Sequence, residues 1–68
     1  MATGSITEWD DGLGEGLITE PNVGVHHVDR QDCSARLQAK LKGKTIPPGG
    51  VPVTFQLAVG NKAINVDG

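Results

Sequence analysis

Several residue groups in this 68-residue chain have types able to do chemistry, and their spacing decides which chemistry is open to them. Trp9, the only Trp, offers a flat face on which a nucleobase can stack. Its other use is as the largest apolar body for a core that has one Phe. His26 and His27 are adjacent, and neighbours on a strand face opposite sides, so they do not converge on one ligand unless a bulge intervenes. Zinc takes about three or four convergent ligands. Only Asp29 and Cys33 lie near the His pair in sequence, so no metal is expected. Asp10 and Asp11 are consecutive carboxylates in a turn, without the apolar pocket that raises a catalytic pKa. Cys33 has no obvious cleft to act in. Gly12-Leu13-Gly14-Glu15-Gly16 has the wrong spacing for a dinucleotide fingerprint, and no Gly-Lys-Ser/Thr closes it as a phosphate loop. These readings exclude an enzyme and imply no cofactor. The last group is basic: Arg30, Arg36, Lys40, Lys42 and Lys44. It reads as a phosphate-contacting patch or as a solvated helix face.

The elements that must position these residues are short. Strands are expected over residues 3–9, 16–20, 23–28, 51–59 and 62–66. The fourth carries Val51, Val53, Phe55, Leu57 and Val59 at period two, the plainest strand signal in the chain. Pro52 cannot donate to a ladder, which places it at a strand start or on an edge. Asp10-Asp11-Gly12, Pro21-Asn22 and Gly60-Asn61 supply turns, so the first three strands form a meander. Glycines within these strands mark curvature, bulges or close backbone approach. Residues 32–42 are rich in helix formers, with Asp32 or Ser34 as the cap, Gly43 as the stop, and Leu37 and Leu41 on one side. Pro47-Pro48-Gly49-Gly50 turns the chain into the fourth strand.

Composition sets the outer bounds. The length allows one domain, 1–68, with a small core; such a chain buries only roughly 60% of its unfolded surface. One Cys excludes an internal disulfide framework, and no stretch is long enough to cross a bilayer or serve as a leader. A reducing, cytoplasmic setting without membrane partners is the expectation. Ten Gly and 37% hydrophobic residues suit a turn-rich β domain better than a helical bundle. Eight acidic and six basic side chains give a net charge of -2, which removes the simplest argument for a nucleic-acid binder. The charge is sorted, however: every charge up to His27 is acidic, and the stretch from Arg30 to Lys44 is basic apart from Asp32. The basic segment either forms a binding face or pairs internally with the acidic strands.

The order of segments resembles the cold-shock domain family of single-stranded nucleic-acid binders. Gly4-Ser5-Ile6-Thr7-Glu8-Trp9 is similar to that family's G-x-V-K-W-F first strand. Leu13-Gly14-Glu15-Gly16-Leu17-Ile18 stands where it has K-G-F-G-F-I, and Val23-Gly24-Val25-His26-His27 where it has V-F-V-H-F. Lys44-Thr45-Ile46, then Gly49-Gly50-Val51-Pro52-Val53-Thr54-Phe55, and the closing Ala63-Ile64-Asn65-Val66 extend the likeness over nearly the whole chain, except about residues 29–43. The departures fall on the family's stacking face. Its Phe positions read Asp10, Glu15, Leu17 and Gly24, and its Lys positions read Glu8 and Leu13. Trp9, His26 and His27 survive.

The resemblance, with the strand count, implies an all-β fold: a five-stranded antiparallel OB-type barrel with a short helix between strands 3 and 4. It implies a weak or specialised binder of single-stranded RNA or DNA. Trp9, Leu17, His26 and His27 would face the bases, and Arg36, Lys40, Lys42 and Lys44 the phosphates. The competing expectation is a protein-interaction or self-associating module on the same frame, with nucleic-acid binding lost.

Overall fold

The computed structural model describes residues 2–42 and 46–68. It contains β1 (Ala2–Asp10), β2 (Glu15–Glu20), β3 (Gly24–Asp29), a single 3-10 turn (Arg30–Asp32), α1 (Ala35–Leu41), β4 (Val51–Ala58) and β5 (Lys62–Asp67). The strands close a barrel in the order β1-β2-β3-β5-β4. The fold is thus the five-stranded OB-type barrel expected, with its one short helix between β3 and β4. One point differs. β3 and β5 run parallel, meeting at His27 and Lys62, so the barrel is mixed rather than wholly antiparallel. The reason is parity: strand direction cannot alternate around a ring of five, so at least one neighbouring pair must be parallel.

Inward-facing residues at period two build the core. Ile6, Ile18, Val28, Val53, Phe55, Ala63 and Val66 come from the strands, and Leu37 and Leu41 from the helix. The sequence pattern of β4 holds for Val53 and Phe55 and then fails. Ala2 pairs with Phe55, so Leu57 and Val59 lie beyond the described end of β1 and are exposed. Two bulges reset the alternation elsewhere. Between Ile6 and Glu8, β1 carries one extra residue against β2, which brings Trp9 opposite Gly16, in the inward phase of Ile18. In β5 the extra residue lies opposite the stretch from Thr54 to Gln56. Asn65 nearby has a left-handed φ of 51°, and Ala63 and Val66 therefore both face inward.

The helix is shorter than the 32–42 expected. Ser34 caps it: its Oγ accepts a hydrogen bond from the Leu37 N–H at 3.1 Å and donates one to Asp67 Oδ1 at 2.7 Å. Asp32 closes the preceding 3-10 turn, and Cys33 is extended and bridges to Val66. Gly43, the expected stop, lies outside the described residues. Leu37 and Leu41 are essentially fully buried and belong to the same core cluster as the inward strand residues. Leu37→Ala is expected to cost about 2–5 kcal/mol. Urea denaturation followed by far-UV circular dichroism measures it; a loss below about 1 kcal/mol would show that the helix does not complete the core.

Candidate functional site

The β1–β2–β3 meander carries its chemistry in cross-strand rows. Register places Glu8 beside Leu17 and Leu17 beside His27. The next row is Asp10, Glu15 and Asp29. Side chains opposed in this way sit close enough to act together. Trp9, Leu13, Leu17 and His27 line one open cleft of about 420 Å³, with Glu8, Asp10 and Glu15 among its walls. The structure therefore brings together three of the residues expected at a base-contacting face. Leu13, at the exposed tip of the β1–β2 turn, is a fourth apolar group there.

Trp9 does two jobs in this arrangement. It is half-buried and packs against the core cluster while bordering the cleft. Its ring lies over Gly16, where an added Cβ would come within 2.7 Å of Trp9 Cε3 and would also meet the Glu8 carbonyl. Gly16 is the close approach that its position in a strand suggested. The indole N–H is buried and finds no acceptor among the described residues.

His26 is a correction. It is 3% exposed, inside the barrel, with its ring 5.6 Å from that of Phe55. Its Nδ1 lies 2.5 Å from Asn61 Oδ1 and its Nε2 2.9 Å from Glu20 Oε1. A ring enclosed on both edges has no face to offer a base. No bulge interrupts β2–β3, so alternation sends His26 inward and leaves His27 exposed. Glu20 and Asn61 carried no sequence signal as partners of His26; Asn61 read only as a turn residue.

The expected phosphate contacts do not gather at the cleft. Arg36 Nη2 lies 2.6 Å from Asp67 Oδ2, and Lys40 Nζ donates to the Gly68 carbonyl at 2.6 Å. Lys42 lines a separate groove with Arg30 and Asp11. Lys44 lies outside the described residues. Arg30 too is paired internally, with Asp11 at 3.2 Å, and outside the basic middle Lys62 pairs with Asp29 at 2.9 Å and Asp32 at 3.1 Å. The Ser34 hydroxyl and then Arg36 hold the Asp67 carboxyl below its ordinary range. The hydrogen bonds that Lys62 Nζ donates to Asp29 and then Asp32 raise its pKa. Being exposed, such pairs stabilise little.

Burial, and then the charges of Asp32 and Asp29, push the Cys33 thiol from 9.0 to about 11. It is a packed core group that donates to the Asp29 carbonyl at 3.4 Å. Among the described residues no three His, Cys, Asp or Glu side chains gather to hold a metal, and no helix is long and apolar enough to cross a membrane. No family model and no curated protein matches the chain.

Two outcomes follow from these placements. His26→Ala is expected to cost about 1–3 kcal/mol by stranding its buried partners. His27→Ala should stay within about 0.5 kcal/mol. Equal urea midpoints for the two variants would contradict the assignment of inward and outward faces. For Cys33, the folded state holds a proton that the unfolded chain releases between pH 9.0 and about 11. Its contribution to stability is therefore full below pH 9 and fades as pH rises toward 11. Alkylation of the native thiol at pH 9 should run at least about 10-fold slower than in the urea-unfolded chain, read by mass spectrometry. Equal rates would refute a buried, protonated thiol.

Proposed function

We propose that this barrel binds single-stranded RNA or DNA weakly, through base contacts in the Trp9–Leu17–His27 cleft. One observation carries the reading. Leu17 and His27, paired on the outer side of β2 and β3, and the half-buried Trp9, which packs on the core, all border one open cleft on the meander. In OB-type barrels the face of strands 2 and 3 and the loop between strands 1 and 2 are where extended oligomers bind. The order of segments shared with cold-shock domains supports the same reading. Weakness follows from the residues present. Each base stacked on an aromatic ring contributes about 1–3 kcal/mol, and the four positions that are Phe in the cold-shock pattern are here Asp10, Glu15, Leu17 and Gly24. Glu8, Asp10 and Glu15 repel phosphate as well, so bases rather than backbone must make the contacts here.

Those same carboxylates favour a second reading. A cleft with apolar walls and acidic margins suits a Lys- or Arg-rich peptide, and the barrel would then be a protein-interaction module.

Trp9 is a single intrinsic probe for both. A short oligothymidine added at low salt should change its fluorescence saturably, with a dissociation constant of about 1–100 µM. His27→Ala should weaken binding about fivefold or more. No saturable change at about 100 µM strand would overturn the nucleic-acid reading. A saturable response to a short polylysine peptide in its place would establish the second.

A further inference from the structure

We propose that the groove between the β1–β2 turn and α1 is a phosphate subsite in which Arg30 and Lys42 hold a backbone phosphate of the strand bound at the base cleft. The proposal rests on the nucleic-acid reading above and supplies what the base cleft lacks, a cationic contact.

Three open clefts share their walls. The base cleft ends at Leu13. A second, of about 430 Å³, begins at Leu13 and reaches Arg30 and Gln38. A third, of about 330 Å³, continues from Arg30 and Gln38 to Lys42. A strand leaving the base cleft over Leu13, which is 72% exposed, therefore arrives at Arg30 and then Lys42. Glu8, Asp10 and Glu15 stand at one end of this path and Asp29 along it, and both of its cations, Arg30 and Lys42, stand at the other end, beside Asp11.

Arg30 is held in place for such a role. Its backbone N–H donates to the Gly14 carbonyl at 2.7 Å, and its carbonyl accepts from Gln38 Nε2 at 3.0 Å. The guanidinium lies against Gly14, whose φ is +71°; a Cβ there would come 3.3 Å from Arg30 Cζ. Nη2 donates to the backbone carbonyl and to Oδ1 of Asp11. Among the described residues Nε and Nη1 make no hydrogen bond, so three of the five guanidinium donors remain for a forked contact with phosphate. Lys42 has neither an ion pair nor a side-chain hydrogen bond among the described residues. Arg36, Lys40 and Lys62 are each engaged elsewhere. Asp11 competes for Arg30, so phosphate binding displaces it or shares the guanidinium with it.

Oligothymidine binding, read by Trp9 fluorescence across a salt series, tests the subsite with Arg30→Gln, Lys42→Gln, Asp11→Asn and, as control, Arg36→Gln. Lys42 is exposed, so its variant keeps the fold; thermal melts check all four. The expected result is a loss of about 3- to 10-fold for Arg30→Gln and for Lys42→Gln at low salt. The slope of log affinity against log salt should become shallower by about 0.7 for each phosphate no longer neutralised. Asp11→Asn should tighten binding, and Arg36→Gln should leave the slope unchanged. Wild-type binding with unchanged affinity and slope in both the Arg30 and Lys42 variants would discard the subsite and leave the base cleft standing. If the wild type binds no oligothymidine, the proposed function fails, and pyrophosphate then decides the subsite alone. Saturable NMR shifts at Arg30 Nε–H and the Gly14 amide support it, and their absence overturns it.

Discussion

Closing a ring of five strands forces one parallel seam, and the rest of this structure is arranged around that seam. β3 and β5 share a single backbone register pair, His27 with Lys62. Side chains and single backbone bonds do the remaining stitching. Asn61 accepts from the His27 N–H through its carbonyl at 3.3 Å and donates from Nδ2 to the Val25 carbonyl at 2.8 Å. Lys62 reaches the carboxylates of Asp29 and Asp32. Ser34 N–H donates to the Val66 carbonyl at 2.7 Å and brings the helix onto β5. The left-handed φ of 61° at Asn61 lets one residue turn the chain and clamp β3 together, a conformation that Asn tolerates better than most residues.

The seam also explains the division of labour between the two histidines. Asn61 and Glu20 hold the His26 ring on the inner side, and alternation then gives His27 no choice but the outer one. Burial of His26 is stabilising only because both nitrogens have partners, since an unsatisfied buried polar group costs about 1–3 kcal/mol. On the outer side, Leu17 and His27 border a cleft with Glu8, Asp10 and Glu15 among its walls.

Much of the barrel was legible in the residues themselves. The alternation of Val53 and Phe55, the turn residues after Trp9, Glu20 and Val59, and the paired Leu37 and Leu41 each report a local preference that the tertiary structure keeps. What escaped was non-local. The bulge near Thr7 turns Trp9 toward the core, and no residue type there announces an extra position in the ladder. The likeness of Val23-Gly24-Val25-His26-His27 to a stacking strand suggested an outward His26. Its inward placement depends on Asn61, 35 residues later. The basic run from Arg30 to Lys44 read as one phosphate-contacting patch or one solvated helix face, whereas Arg36 and Lys40 go to Asp67 and Gly68 and Arg30 to the β1–β2 turn.

The seam has a temporal consequence. The β5 side of the seam and the β4 residues that pair with β1 all follow the meander and the helix in the chain. A polypeptide made as far as Lys42 holds the residues of its meander and helix, but His26 lacks Asn61 and the Ser34 N–H lacks the Val66 carbonyl. The ring cannot close piecemeal. It needs β4 and β5 together, so closure rests on the meeting of segments distant in sequence.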